Sequence, residues 1–166
     1  MVEGGDRSSG PTVLDRGYQL AYVCAYQMMR VVWRLRHPTT HGALVMLWNA
    51  GELLLVRNSY VRFYSLPGGY VHHGETSRDA AVRELKEEVG VAAPREELEL
   101  CVDETHDWEG KKDHVEIFSL DVPVRPPVSV DHREVVHADW FSPKRALELE
   151  LFPPLRRAIE RRIELR

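Results

Sequence analysis

Cysteine is scarce in this chain: its 166 residues contain only Cys24 and Cys101. Two thiols in separate segments offer neither a disulfide framework nor a zinc-ligand spacing, so the fold must hold without either. Net positive charge is also lacking. The formal charge of −4 gives no general attraction to nucleic acid. The one uncharged stretch near the N-terminus, Gly17 to Met29, is short and interrupted by Gln19 and Gln27, which excludes a membrane span there. The first ten residues are polar and rich in Gly and Ser, without the pattern of a secretory signal, so a cytoplasmic protein is the expectation.

What remains is a length suited to one domain with a substantial core. Gly, Ser and charge make residues 1–14 a disordered lead-in. Residues 15–37 read as a helix rich in Tyr, Met, Val and Trp, stopped by Pro38. Three fates are open to that helix: packing on the rest of the chain, packing on another subunit of a homodimer, or peripheral membrane contact through Trp33 and the nearby Arg30, Arg34 and Arg36.

Residues 38–166 form the main domain. Short strands are expected over Ala43–Trp48 and Leu53–Arg57, joined by the hairpin signal Asn49-Ala50-Gly51-Glu52. Further strand-like runs are Tyr70–His72, Leu98–Thr105, His114–Val122 and Val135–Phe141, with Asp107–Asp113 as a charged turn. Small helices follow near Lys144–Leu149 and Pro154–Leu165, the second with Leu155, Ile159 and Ile163 on one face. Strands mixed with helices make the class α/β (α+β).

Chemistry concentrates in GYVHHGETSRDAAVRELKEEVGV, Gly69 to Val91. Thr76 or Ser77 is placed to cap a helix, Asp79 suits its first turn, and Gly90 suits its left-handed end. Ala80, Ala81, Leu85 and Val89 form the buried stripe. Glu84 and Glu88 stand four apart, about 5–6 Å from each other on one face. Clustered carboxylates repel, and a hard divalent cation such as Mg2+ or Mn2+ reverses that repulsion. Glu87 stands within reach of Arg83, and Gly68-Gly69 lets backbone approach closely where no Cβ intrudes.

The spacing Gly69, five residues, Glu75, seven residues, then Arg83-Glu84-Leu85-Lys86-Glu87-Glu88-Val89-Gly90-Val91 resembles the box of the Nudix hydrolase family at every fixed position. Its seven fixed identities recur by chance on the order of once in a billion starting positions. The resemblance extends from about His41 to Phe152 and implies an α/β/α sandwich with a mixed sheet, to which the N-terminal helix is an addition. It implies Mg2+ (or Mn2+) held by the Gly68 carbonyl, Glu84 and Glu88, with Glu87 a direct or water-mediated ligand. Arg83 would orient the carboxylates, while Gly69, Glu75 and Gly90 would support the loop and helix.

The implied reaction is hydrolysis of a phosphoanhydride, in which a metal neutralises charge gathering on non-bridging oxygens. Two general bases are open, Glu84 and Glu134. Glu134 begins EVVHADWF, which resembles the family's segment E-U-x-x-x-x-W-F; the plain alternative is a surface carboxylate leading into a strand. His72 and His73 occupy free positions of the box and are candidates to meet a phosphate. Arg57, Arg62 and Tyr64 lie where the family often places phosphate- or base-contacting residues. The segments WRLRHPTTHG, LLVRNSY and LPGG look like bacterial Nudix proteins called ADP-ribose pyrophosphatase-like. The expected substrate is a small nucleotide, a nucleoside diphosphate joined to another moiety. Nucleoside triphosphates or dinucleoside polyphosphates are the alternative. A non-catalytic nucleotide sensor is disfavoured by the complete set of box acids.

Overall fold

The structure, a computed structural model, describes residues 11–164. The expected disorder over 1–14 therefore lies mostly outside the described residues, and Val13 and Leu14 are already helical. Helix α1 (Val13–Arg36) starts there because Thr12 and Asp15 form a reciprocal cap: the Thr12 hydroxyl accepts from the Asp15 N–H at 3.2 Å, and the Asp15 carboxylate accepts from the Thr12 N–H at 2.9 Å. His37, in the left-handed conformation, ends it one residue before Pro38.

Strands β1 (Thr39–Asn49), β2 (Glu52–Asn58), β3 (Gly68–Tyr70), β4 (Glu99–Trp108), β5 (Lys111–Asp121) and β6 (Val135–Phe141) form one mixed sheet. Its order is β4-β5-β1-β2-β6, with β3 also paired to β1. β1 runs parallel to β5 and antiparallel to β2 and β3. As a central strand it buries both faces, so its sequence is continuously apolar where an edge strand would alternate. Ala43, Val45 and Leu47 pack with Ala80, Ala81, Leu85 and Val89 of α2 (Ser77–Val89). Leu44, Met46 and Trp48 face the opposite core, with Ala146 of α3 (Pro143–Leu147) and Leu155, Ala158 and Ile159 of α4 (Pro153–Glu164). Helix, sheet and helix make three layers, the α/β/α arrangement.

Two expectations shift. The anticipated strand at Tyr70–His72 is instead β3, two residues earlier, because the chain pairs Gly68, Gly69 and Tyr70 with Leu44, Ala43 and Gly42. β1 thus pairs with β2 near Trp48 and with β3 near Ala43, and this change of partner sets the glycine loop beside α2. The charged Asp107–Asp113 stretch is mostly strand, leaving Glu109-Gly110 as the turn, both at positive φ. Lys111 and Asp113 tolerate burial there because they pair at 2.8 Å.

Helix α1 packs on the domain through one face. Trp33 is buried, the Tyr26 hydroxyl donates to Glu109 at 2.5 Å, and Arg30 pairs with Glu109 at 3.0 Å. Nearer its start, Gln19 donates to the His132 carbonyl at 2.6 Å and Asp15 pairs with Arg133 at 3.2 Å.

Candidate active site

Thr76 caps α2, its hydroxyl accepting from the Asp79 N–H at 3.2 Å, and Gly90 closes it in the left-handed conformation with φ 73°. Between these caps the helix turns Glu84 and Glu88 toward the Gly68-Gly69 loop. A Cβ on Gly69 would lie 2.5 Å from the Glu84 carboxylate, and one on Gly68 would lie 2.3 Å from the Ala43 carbonyl oxygen. No other residue type fits this crossing without displacement. The Gly68 N–H donates to Glu88 at 2.9 Å.

Arg83 is the hub of the acidic cluster. It meets Glu75 through both carboxylate oxygens, at 2.9 and 3.0 Å, and Glu84 at 2.6 Å, Glu87 at 3.1 Å and the Tyr70 carbonyl at 3.0 Å. The Arg83 hydrogen bonds, with one from the His72 N–H, hold the Glu75 carboxyl down at about 2. Glu88 shows the opposite effect. Burial pushes its carboxyl up to about 8 against the Gly68 hydrogen bond, and the charges of Glu84 and Glu134 add to the rise. Glu134 is likewise raised, chiefly by burial, although the Tyr60 hydroxyl donates to it at 3.1 Å. Three carboxylates from α2 and the lead-in to β6 therefore share one partly desolvated region.

The donor set suits a hard divalent cation: it is oxygen only, and Glu88 and Glu134 lack positive partners, so a bound ion would favour their charged forms. Arg83 pairs with Glu84 and Glu87 as well as Glu75 in this structure, one positive charge shared among three carboxylates, and among the described residues no three acidic, histidine or cysteine side chains converge as an ion-holding group.

Beside the glycine loop opens a cleft that the sequence did not signal. Its walls include Tyr26, Tyr60, Phe63 and Tyr70, and its polar edge is Asn58, Lys111 and Asp113. Tyr26 and Tyr60 lie 4.9 Å apart between ring centroids. Lys111, nearly inaccessible, also donates to Thr40 at 3.0 Å and sits 4.9 Å over the Trp33 ring. Tyr26 belongs to α1, so the added helix supplies part of this wall. The aromatics between Tyr18 and Trp33 do not mark it by their spacing; only tertiary packing shows which of them turns inward.

The remaining candidates lie elsewhere. The Arg57 guanidinium stacks 5.9 Å over the ring of Tyr64, and Tyr64 packs edge-on against Phe141 and His137. Arg62 is exposed on the loop after β2. None of the three lines the cleft, whereas their neighbours Tyr60, Val61, Phe63 and Ser65 do. Strand bridging between Val56 and Ser65 fixes which side chains of this loop turn inward. His72 and His73 are exposed; the His72 backbone N–H donates to Glu75 at 3.0 Å, and its ring Nδ1 stands 3.9 Å from the same carboxylate.

An α/β/α sandwich whose glycine loop crosses an acidic helix defines the class as a Nudix domain. The chain belongs to the Nudix hydrolase family: the family model described as NUDIX domain matches residues 38–162. An uncharacterized Nudix hydrolase of Pseudomonas aeruginosa is 34% identical over 130 residues, covering 72% of each chain. A putative 8-oxo-dGTP diphosphatase of Bacillus subtilis is 46% identical over 55 residues, covering 32% of this chain and only 37% of that protein. Among solved structures, the MutT protein of Methanosarcina mazei matches with a TM-score of 0.67 at 24% identity, covering 76% of this chain and 94% of the other.

Proposed function

We propose that this protein is a Mg2+-dependent hydrolase of a phosphoanhydride in a nucleoside diphosphate linked to another moiety, such as ADP-ribose or a nucleotide sugar. The observation that carries this reading is the adjacency of the acidic loop–helix crossing and the aromatic cleft: Gly68 and Gly69 belong to both. A diphosphate at the loop leaves its base within the cleft. Tyr26 and Tyr60 offer stacking faces, and Lys111, Asp113 and Asn58 offer the hydrogen-bonding edge.

Glu84 and Glu88 would hold the ion, with Glu87 and the Gly68 carbonyl completing its protein ligands. When bound, it neutralises charge on the phosphate oxygens. Arg83 and the Glu75 carboxylate fix the helix against the loop, so the ligands arrive pre-oriented. Glu134 serves as the base in this reading: burial keeps its proton affinity high, and Tyr60 orients it. Glu84 is less suited, being paired with Arg83 at 2.6 Å.

Phosphate and nucleotide release should be screened with ADP-ribose, nucleotide sugars, dinucleoside polyphosphates and nucleoside triphosphates, with and without Mg2+. Turnover of a diphosphate-linked substrate supports the proposal. Metal-dependent turnover of triphosphates alone favours the second reading, which the 46% identity to a protein named a putative 8-oxo-dGTP diphosphatase motivates. No turnover by any substrate removes both. Glu134→Gln should lower kcat by roughly 10²–10⁴ while retaining metal binding; equal kcat would return the base to Glu84.

A further inference from the structure

We propose that the outer face of α1 docks the protein on an anionic lipid surface. Val13, Leu20, Cys24, Met28, Val31 and Leu35 recur at intervals of three, four or seven residues, the period of one helix face. That face turns away from the domain: Leu20 is 65% exposed, Met28 71% and Leu35 77%. The opposite face carries Trp33, Tyr26 and Asp15, which tie the helix to the domain. An apolar stripe as long as the whole helix, left in water, is the mark of an interaction surface.

Charge selects the occupant. At about 100° per residue, Arg16 and Arg34 fall along one edge of the stripe, Arg36 follows at its C-terminal end, and all three are exposed. The only acid of α1 through Arg36 is Asp15, already engaged by its cap and by Arg133. The outer face is thus apolar with one basic edge and a basic end, on a chain whose formal charge is −4. A bilayer containing acidic headgroups complements both features, the arginines reaching headgroups while Leu and Met enter the acyl boundary. A second copy of α1 complements only one of them. Antiparallel pairing sets Arg16 toward Arg34 of the copy, parallel pairing sets like against like, and no exposed acid on the helix offsets either. The helix cannot cross the membrane, since none in the described chain is long and apolar enough. It would lie in the interface plane.

The test is flotation of the full chain with mixed phosphatidylcholine–phosphatidylglycerol vesicles, against phosphatidylcholine alone, without substrate. Its outcome is independent of the proposed hydrolysis. The protein should float with the anionic vesicles and be released by salt. Leu20→Glu with Met28→Glu should lower binding at least about tenfold, leaving thermal unfolding and the basal hydrolytic rate unchanged. Arg16→Gln with Arg34→Gln and Arg36→Gln should abolish the preference for anionic vesicles, again without unfolding the chain. Failure of the wild-type chain to float, or equal flotation of the Leu20/Met28 variant, overturns the proposal. So does a dimer in light scattering that the Leu20/Met28 variant splits while the wild type ignores vesicles, for that assigns the stripe to self-association.

Discussion

The Glu84 carboxylate lies where a side chain on Gly69 would be: an added Cβ would meet its oxygen at 2.5 Å. The Glu84 side chain therefore approaches Gly69 as closely as a hydrogen at Cα allows. Gly69→Ala must push Glu84 aside or lift the loop, and a displacement of this kind can cost about 10²-fold in rate. The expected signature is a fall in kcat with a folded, cooperative protein. Calorimetry and steady-state kinetics on the same sample check it, and an unaltered kcat would show that this contact does not position the site.

Glu75 joins the helix to the loop by electrostatics. Its carboxyl is held at about 2, below the ordinary 4.5, mainly by Arg83. A group whose folded value is depressed binds protons more readily when unfolded. Its contribution is therefore complete above about 4.5 and lost as pH falls toward about 2. Glu75→Gln should lower Tm near neutral pH by roughly 3–5 °C, a modest effect because the pair is partly solvated. The difference from wild type should close as pH falls through that window. Melting curves across pH decide this; a difference that persists in acid would mean the pair is not its cause.

Tyr26 tests whether α1 is part of the nucleotide cleft. Its ring faces Tyr60 at 4.9 Å, and its hydroxyl anchors on Glu109. Tyr26→Ala should raise KM roughly tenfold, as loss of one base-stacking surface does, with kcat little changed. Tyr26→Phe keeps the ring and should restore most of the affinity. If both variants raise KM equally, the hydroxyl anchor matters and stacking does not.

Much of this arrangement was legible in local sequence. The period of Ala80, Ala81, Leu85 and Val89, the cap at Thr76 and the stop at Gly90 are all short-range signals, and the structure places α2 between them. The alternating faces of β1 were not legible, because a strand buried on both sides carries no alternation. Lys111 and Asp113 look like turn residues in sequence; only their mutual pairing under Trp33 explains their burial. The inward turn of Tyr60 in place of Tyr64 depends on the Val56–Ser65 bridge. The cleft wall from α1 depends on contacts between residues far apart in sequence, such as Tyr26 and Glu109. Hence the acidic helix could be read from the chain, and the cleft beside it could not.

The claim on which the rest stands is that the Glu84–Glu88 face of α2 holds a divalent cation. Mn2+ binding followed by electron paramagnetic resonance, on wild type, Glu88→Gln and Lys86→Gln, tests it directly. Gln keeps the shape and helix propensity of Glu while removing its charge. Glu88→Gln should bind Mn2+ far more weakly and lose about 10²–10⁴ in kcat/KM, or roughly 3–5 kcal/mol of transition-state stabilisation. Lys86→Gln, exposed on the same helix, should match wild type in both. Wild-type Mn2+ affinity and turnover in Glu88→Gln would contradict the account.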